Sequence, residues 1–292
     1  MFQLHTGHYR NPAQLPDGDV LVVGAGPSGQ QIAEEIALAG RRVVLSVGRH
    51  RTLPRRYQVR DTHWWMDRMG SFERTVDTWP IPRPVRNAPA FVLAGGCRNL
   101  DLRRLVANGV IPTGRLTGLT GPTAWFADDL AASAAAADAN LHAFRASVDD
   151  FVARTGMIAG LPDDPPAPLG SWLETAPRRV PLDRMGIRSV IWATGYRRDY
   201  SWIHAPVFDA TGEPVQRRGV TAADGLYFLG LRWMQRRASD TIHGVGADAA
   251  HLAEHIGHTT LGWSTEGGLW STFVDHPEVR SQRRSCAVGV VA

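Results

Sequence analysis

Six consecutive residues, Gly24-Ala25-Gly26-Pro27-Ser28-Gly29, carry the spacing G-x-G-x-x-G. That spacing suits a loop that wraps a pyrophosphate. The first glycine allows the tight turn, the second lets backbone approach the phosphates, and the third lets helix and strand pack closely. About 20 to 25 residues further on, an NAD-binding loop places an acid for the ribose hydroxyls. Here the chain reads Leu45-Ser46-Val47-Gly48-Arg49, with no carboxylate. A guanidinium can grip a 2′-phosphate through two parallel hydrogen bonds, and Ser46 could add a hydroxyl donor. The pattern therefore points to NADP(H) rather than NAD(H). The residues expected to hold it here are Gly24, Ala25, Gly26, Pro27, Ser28, Gly29, Gln30, Ser46, Gly48 and Arg49. His50, Arg51, Arg55 and Arg56 would deepen the positive field.

Such a loop works only between a strand and a helix, and the flanking residues supply both. Val20-Leu21-Val22-Val23 is a continuous apolar run, as expected of a parallel strand buried on both faces. Residues 28–39 place Ile32, Ala33, Ile36 and Ala37 at helical spacing, with Gly40 as the stop. Val43-Val44-Leu45 is the next strand, which completes a βαβ unit. Beyond it, residues 61–69 read as a short helix and 78–89 as loop. Residues 90–93, 109–111, 189–193 and 226–229 read as strands. Residues 128–152 and 241–256 read as helices, and Asp163-Asp164-Pro165-Pro166-Ala167-Pro168 as a linker. Strands alternating with helices make an α/β fold.

Composition removes several classes of chemistry. All 32 basic residues are arginine, so no Schiff-base lysine and no P-loop lysine is available. The arginines are scattered rather than gathered on one element, which argues against nucleic acid as a partner. No apolar run approaches the ~20 residues that cross a bilayer, so no membrane role is expected. The two cysteines, Cys97 and Cys286, form no CxxC pair. Together with an N-terminus that lacks a secretory pattern, they suggest a reducing, cytoplasmic location. Metal-ligand spacings are absent. Trp64-Trp65, Trp233 and Trp263 read as packing residues before cleft-lining ones. Asp128-Asp129 reads as a cap for the helix that begins at Leu130.

His5-Thr6-Gly7-His8-Tyr9, the glycine loop, Ser46-Val47-Gly48-Arg49 and Ala193-Thr194-Gly195-Tyr196 together resemble the flavin-containing monooxygenase family. His5 and Tyr9 match the second half of its F-x-G-x-x-x-H-x-x-x-[YF] signature. The Ala193-Thr194-Gly195-Tyr196 block matches the crossover between the family's two nucleotide-binding domains, which adds those four residues to the expected cofactor site. Gly225-Leu226-Tyr227-Phe228-Leu229-Gly230 and residues 239–256 are similar to the strand and helix that close over the flavin. Asp240 and His243 stand at the start of that helix, and His5 and His8 are candidates by position only. No catalytic residue is assigned.

The resemblance implies a Rossmann-like NAD(P)-binding domain of the kind found in flavoproteins with two dinucleotide-binding domains, plus a remnant of the FAD domain. It divides the chain into a polar lead-in (1–18), an NADPH-binding domain (19–196), the C-terminal part of an FAD-binding domain (197–262) and a tail (263–292). The glycine loop present matches the family's second, NADPH-binding one, and the FAD-binding loop has no counterpart. Three explanations stand open: a truncated start, a split enzyme with an FAD-domain partner or a homodimer, and a flavin-free descendant. The implied chemistry is reduction of FAD by NADPH, then reaction of the reduced flavin with O2 and oxygenation of a small-molecule substrate. A disulfide reductase of similar architecture would need a CxxC pair. A non-catalytic NADPH-binding or sensor protein is the remaining alternative.

Overall fold

The computed structural model describes residues 1–78, 91–92, 98–158, 160, 163–261 and 289–291. Two compact units divide the chain: Met1–Trp65 with Ala88–Arg197, and Met66–Asn87 with Arg198–Ala292.

The first unit carries β1 (Phe2–His5), β2 (Asp19–Val23), α1 (Pro27–Leu38), β3 (Val43–Ser46), β4 (Arg51–Thr52), β5 (Arg56–Tyr57) and β6 (Arg60–Asp61). After α2 (Thr62–Arg68) come β7 (Phe91–Val92), α3 (Leu102–Ala107), β8 (Ile111–Thr113), β9 (Leu116–Thr120) and β10 (Thr123–Phe126). Then follow α4 (Leu130–Thr155), β11 (Arg179–Pro181) and β12 (Ile187–Trp192). The principal sheet is parallel, in the order β1-β12-β2-β3-β8.

Burial on both faces explains the unbroken apolar run of β2, whose side chains alternate between two cores. Val20 and Val22, with Val43 and Leu45, pack against Ile32, Ala33 and Ile36 of α1 and Leu102 and Leu105 of α3. Leu21, Val23, Val44 and Val190 face the other way, onto Ala124, Phe126 and Val180. Those last three belong to an antiparallel sheet of order β11-β10-β9. Helices therefore cover one face of the parallel sheet and a second sheet covers the other.

This antiparallel sheet is absent from the sequence reading. Its strands are short, and β9 is exposed along four of its five residues, so no buried stripe marks it. The lead-in segment also differs from expectation. Phe2–His5 forms the edge strand of the parallel sheet, paired with β12 from Phe2↔Ser189 to His5↔Trp192. Only Leu4 of this strand is buried, so it carries too little apolar signal to be seen. Residues 109–111 are corrected as well. Gly109 takes φ +85 and Val110 donates to the Leu105 carbonyl, so they close α3, and the strand begins at Ile111.

The second unit gathers Val207, Phe228, Leu231 and Met234 into a small core with Tyr200, Ile203 and Phe208 around it. It contains β13 (Leu226–Phe228), α5 (Val245–Leu261) and β14 (Gly289–Val291), with β13 and β14 parallel. The segment beginning at Met66 groups here because backbone hydrogen bonds sew it to the C-terminal loop. Val76 donates to Gln235, Arg237 to Arg74 and Ala238 to Phe72. The last helix starts at Val245 rather than 241, because Gly244 and Val245 both donate to the Thr241 carbonyl and make a turn first. Asp240 is exposed and lies outside that helix. Trp263, Cys97, Cys286 and most of the 263–292 tail lie outside the described residues, as do 79–89 of the expected loop. Among the described residues no helix is long and apolar enough to cross a membrane, and no group of three or more His, Cys, Asp or Glu side chains could hold a metal ion.

Candidate functional site

The carboxyl ends of β1, β12, β2 and β3 lie side by side. The expected cofactor residues fall at these strand ends, in or beside the turns that leave them, or in the first turn of α1, which holds Pro27, Ser28, Gly29 and Gln30. From β2 the chain runs through α1 to β3 and on to β8 in one direction. It then returns through β12 on the opposite side of β2. The two directions part between β2 and β12, which is the switch point where open α/β sheets bind ligands.

The glycines of the loop hold three different positions. Gly24 adopts φ +111, and a Cβ there would run into the Ala193 carbonyl. Gly29 lies against the Gly24 carbonyl, where a Cβ would also overlap. Around a Cβ at Gly26 there is nothing within 4 Å. Two glycines thus hold backbone against backbone, and the third leaves open space. Gly26 is also the N-cap of α1, in extended conformation, with Pro27 in the first turn and no side chain capping the helix. The first N–H groups of the helix and its positive dipole end face outward, an arrangement that favours an anion.

The end of β3 departs from the sequence reading at two residues. Ser46 is 2% exposed; its Oγ donates to the Gly114 carbonyl at 3.2 Å and accepts from the Leu116 N–H at 2.9 Å. The hydroxyl therefore ties β3 to the segment after β8, and its expected role as a phosphate donor is corrected. His50 is buried, with Nδ1 3.0 Å from the Gly48 carbonyl. Burial pushes its imidazole pKa down, so it adds no positive charge near neutral pH. Arg55 is spent on Asp61, 2.7 Å away. Arg49, by contrast, is exposed and makes no ion pair or hydrogen bond among the described residues. Gly48 is half-buried beside it.

On the other side of the loop, Ala193 donates to the Val23 carbonyl at 2.8 Å, which holds the 193–196 turn against β2. Thr194, Gly195 and Tyr196 are exposed. His5 latches this turn. Its Nδ1 accepts from the Gly7 N–H at 3.2 Å, so the proton sits on Nε2, which donates to the Gly195 carbonyl at 3.2 Å. The Tyr196 ring stands edge-on to His5 at 4.8 Å, and its hydroxyl lies 3.3 Å from Thr6 Oγ1. Tyr9 donates to Glu35 of α1 at 3.1 Å; burial first and the carboxylate second push its pKa up. In the sequence Tyr9 stands only as a motif member, and His5 as a motif member and a candidate by position. Their tasks of latching the turn and hooking the lead-in to α1 emerge only when β1 joins the sheet. His8 is exposed, and its carbonyl accepts from Gln14.

The remaining candidates take structural places. Trp65 is fully buried and donates from Nε1 to the Tyr57 carbonyl at 2.7 Å. Asp129 is the N-cap residue of α4 but makes no side-chain cap; its Oδ1 accepts from the Arg115 N–H instead. His243 is exposed, with Nε2 3.7 Å from Asp67.

No family model matches the chain. It is 32% identical over 261 residues to a protein of Geobacillus kaustophilus (strain HTA426) named "Uncharacterized oxidoreductase CzcO-like", covering 88% of this chain and 57% of that protein. It is 26% identical over 255 residues to "Uncharacterized oxidoreductase CzcO" of Bacillus subtilis (strain 168), covering 87% of this chain and 57% of that one. Among solved structures, a flavin-containing monooxygenase from Stenotrophomonas maltophilia aligns at 17% identity and a TM-score of 0.47, covering 88% of this chain and 55% of that one. The chain thus spans a little over half the length of the curated relatives it matches. Their oxidoreductase names agree with the flavin-containing monooxygenase resemblance that the motifs carry. Along 88% of its length the chain is homologous to part of the CzcO-like oxidoreductases.

Proposed function

We propose that this chain is the NADPH-binding part of a flavin-dependent oxidoreductase of the flavin-containing monooxygenase type. The observation that carries the reading is the pairing of an open phosphate cradle with a cation that has no partner among the described residues. The cradle is Gly26, with free space where a Cβ would stand, at the uncapped start of α1. The cation is Arg49, just past the end of β3, in a segment (45–49) whose sequence carries no carboxylate. In this reading Gly24 to Gly29 cradle the diphosphate, Arg49 pairs with the 2′-phosphate, and the 193–196 turn borders the crevice. Gln30, expected in the cradle, is buried and cannot touch the ligand. When bound, NADPH supplies a hydride to an acceptor. This chain's residues bind and orient it, and none is assigned a proton transfer.

FAD does not fit the described residues in the same way. The sequence holds one G-x-G-x-x-G, and it is the loop at 24–29. The second unit brings β13 and the start of α5. In this reading the flavin's own cradle comes from outside the chain's described residues: from a further segment of a longer protein, an FAD-domain partner or a second copy. The substrate is a small molecule of unassigned identity. A second reading, a flavin-free NADPH-binding protein, is favoured by that same single loop.

Titration of the purified chain with NADPH and NADH, followed by absorption spectra after FAD is added and removed, tests both readings. Tighter binding of NADPH than NADH is expected, and failure to bind either would overturn the proposal. A retained flavin band would support the flavoenzyme reading. Nucleotide binding without retained flavin is expected on either reading, because the proposed flavin cradle lies outside the chain's described residues.

A further inference from the structure

We infer that Gln30 is the positioning residue of the phosphate loop: its side-chain amide, by holding the Ala25 carbonyl, aims the Gly26 N–H into the open space where a diphosphate would lie. This rests on the dinucleotide reading above and deepens it.

Gln30 lies one turn inside α1, where its backbone N–H bonds the Gly26 carbonyl at 3.0 Å. The other buried side chains of this helix, Ile32, Ala33 and Ile36, are apolar. Gln30 is the polar exception, with no exposed surface. Its Nε2 donates to the Ala25 carbonyl at 2.9 Å. The amide cannot be turned round, because Oε1 would then face a carbonyl oxygen. The Ala25–Gly26 peptide is planar and trans, so its C=O and N–H point in opposite directions. A carbonyl anchored inward by Gln30 therefore sends the Gly26 N–H outward. On the other flank, Gly24 donates to the Ser46 carbonyl at 2.9 Å, so the loop is gripped from both sides.

Packing does not account for an amide at this position. Gln30 Oε1 is buried and finds no hydrogen-bond partner among the described residues. A buried acceptor left unmade costs stability, and an unbranched apolar side chain of the same length would avoid that cost. What the amide contributes is one donor, directed at one carbonyl.

The test compares the wild-type chain with Gln30→Met and Gln30→Glu by calorimetric titration with NADP+, NAD+ and 2′-AMP. The last ligand carries the 2′-phosphate without a diphosphate. Methionine keeps the volume and removes the donor. Losing one net hydrogen bond predicts that NADP+ and NAD+ both weaken about five- to tenfold, while 2′-AMP binds as before. In Gln30→Glu a protonated carboxyl can donate to the Ala25 carbonyl, and an ionised one cannot. The ratio of its NADP+ dissociation constant to that of wild type should therefore fall as pH is lowered from 8 to 5.5; titration of the ligand itself cancels in that ratio. Unchanged nucleotide affinity in Gln30→Met, or a flat ratio in Gln30→Glu, would overturn the inference and leave the dinucleotide reading standing. Equal weakening of 2′-AMP would mark a general structural role and overturn it too. If wild type bound neither dinucleotide, inference and reading would fall together.

Discussion

Replacing Arg49 with alanine removes a cation that no other described group of the protein uses. Because Arg49 is exposed and makes no hydrogen bond or ion pair among the described residues, the substitution breaks none of these bonds. Thermal stability should stay within about a degree of wild type, as for most surface substitutions. The loss should appear only when a ligand presents a phosphate to it. A charge-assisted bond of this kind contributes ~1.5–3 kcal/mol, and solvent exposure places Arg49 at or below the lower end. We take ~1–2 kcal/mol, which is a loss of about 5- to 30-fold in NADPH affinity. NADH has no 2′-phosphate and should bind within about twofold of wild type. The assay is titration of both nucleotides to both proteins at low and at moderate salt. Preference for NADPH should shrink as salt rises in wild type and be nearly salt-independent in Arg49→Ala. Equal losses for NADPH and NADH would refute the assignment. So would a large drop in melting temperature, since that would mean Arg49 has a structural partner.

The three loop glycines should respond differently to one methyl group. Gly29→Ala forces a Cβ onto the Gly24 carbonyl and should cost ~1–3 kcal/mol, lowering the melting temperature by several degrees. Gly26→Ala has room and an ordinary backbone angle (φ −70°), so it should melt like wild type and lose nucleotide affinity instead. His50 should make stability depend on pH. Its folded pKa lies below its unfolded one, so the unfolded chain binds more protons, and this contribution is lost as pH falls below about 6.5. Urea unfolding at pH 7.5 and 5.5 should show that loss in wild type, and His50→Asn should reduce the difference.

What the sequence revealed depended on how strongly each segment is buried. β2 and α1 were legible because β2 is buried on both faces and α1 along a stripe at helical spacing, so their patterns are unambiguous. The glycine loop was legible because only glycine can occupy two of its three positions. β1 was hidden because an edge strand with one buried residue has no periodic signature. Ser46 was misread for a different reason. Its position beside Arg49 is local, but its partners, Gly114 and Leu116, arrive from about 70 residues away. His50 shares that difficulty, since residue type suggests a cation and only the packed structure shows the burial that neutralises it.

The pairing of Phe2 with Ser189 has a consequence for how the first unit assembles. In its parallel sheet only β2 and β3 are linked by a single helix; β12 pairs on both sides with strands from the other end of the unit, and its pairing with β1 is the wider of the two. This one must close a loop of nearly the whole unit before any of its hydrogen bonds forms, and such closure is entropically slow. Until it happens, one side of β12 presents an unpaired row of backbone donors and acceptors, a template for association with a second chain. Refolding at high protein concentration should therefore be most vulnerable at β12. The residues that shield it are those whose sequence looked least like a strand.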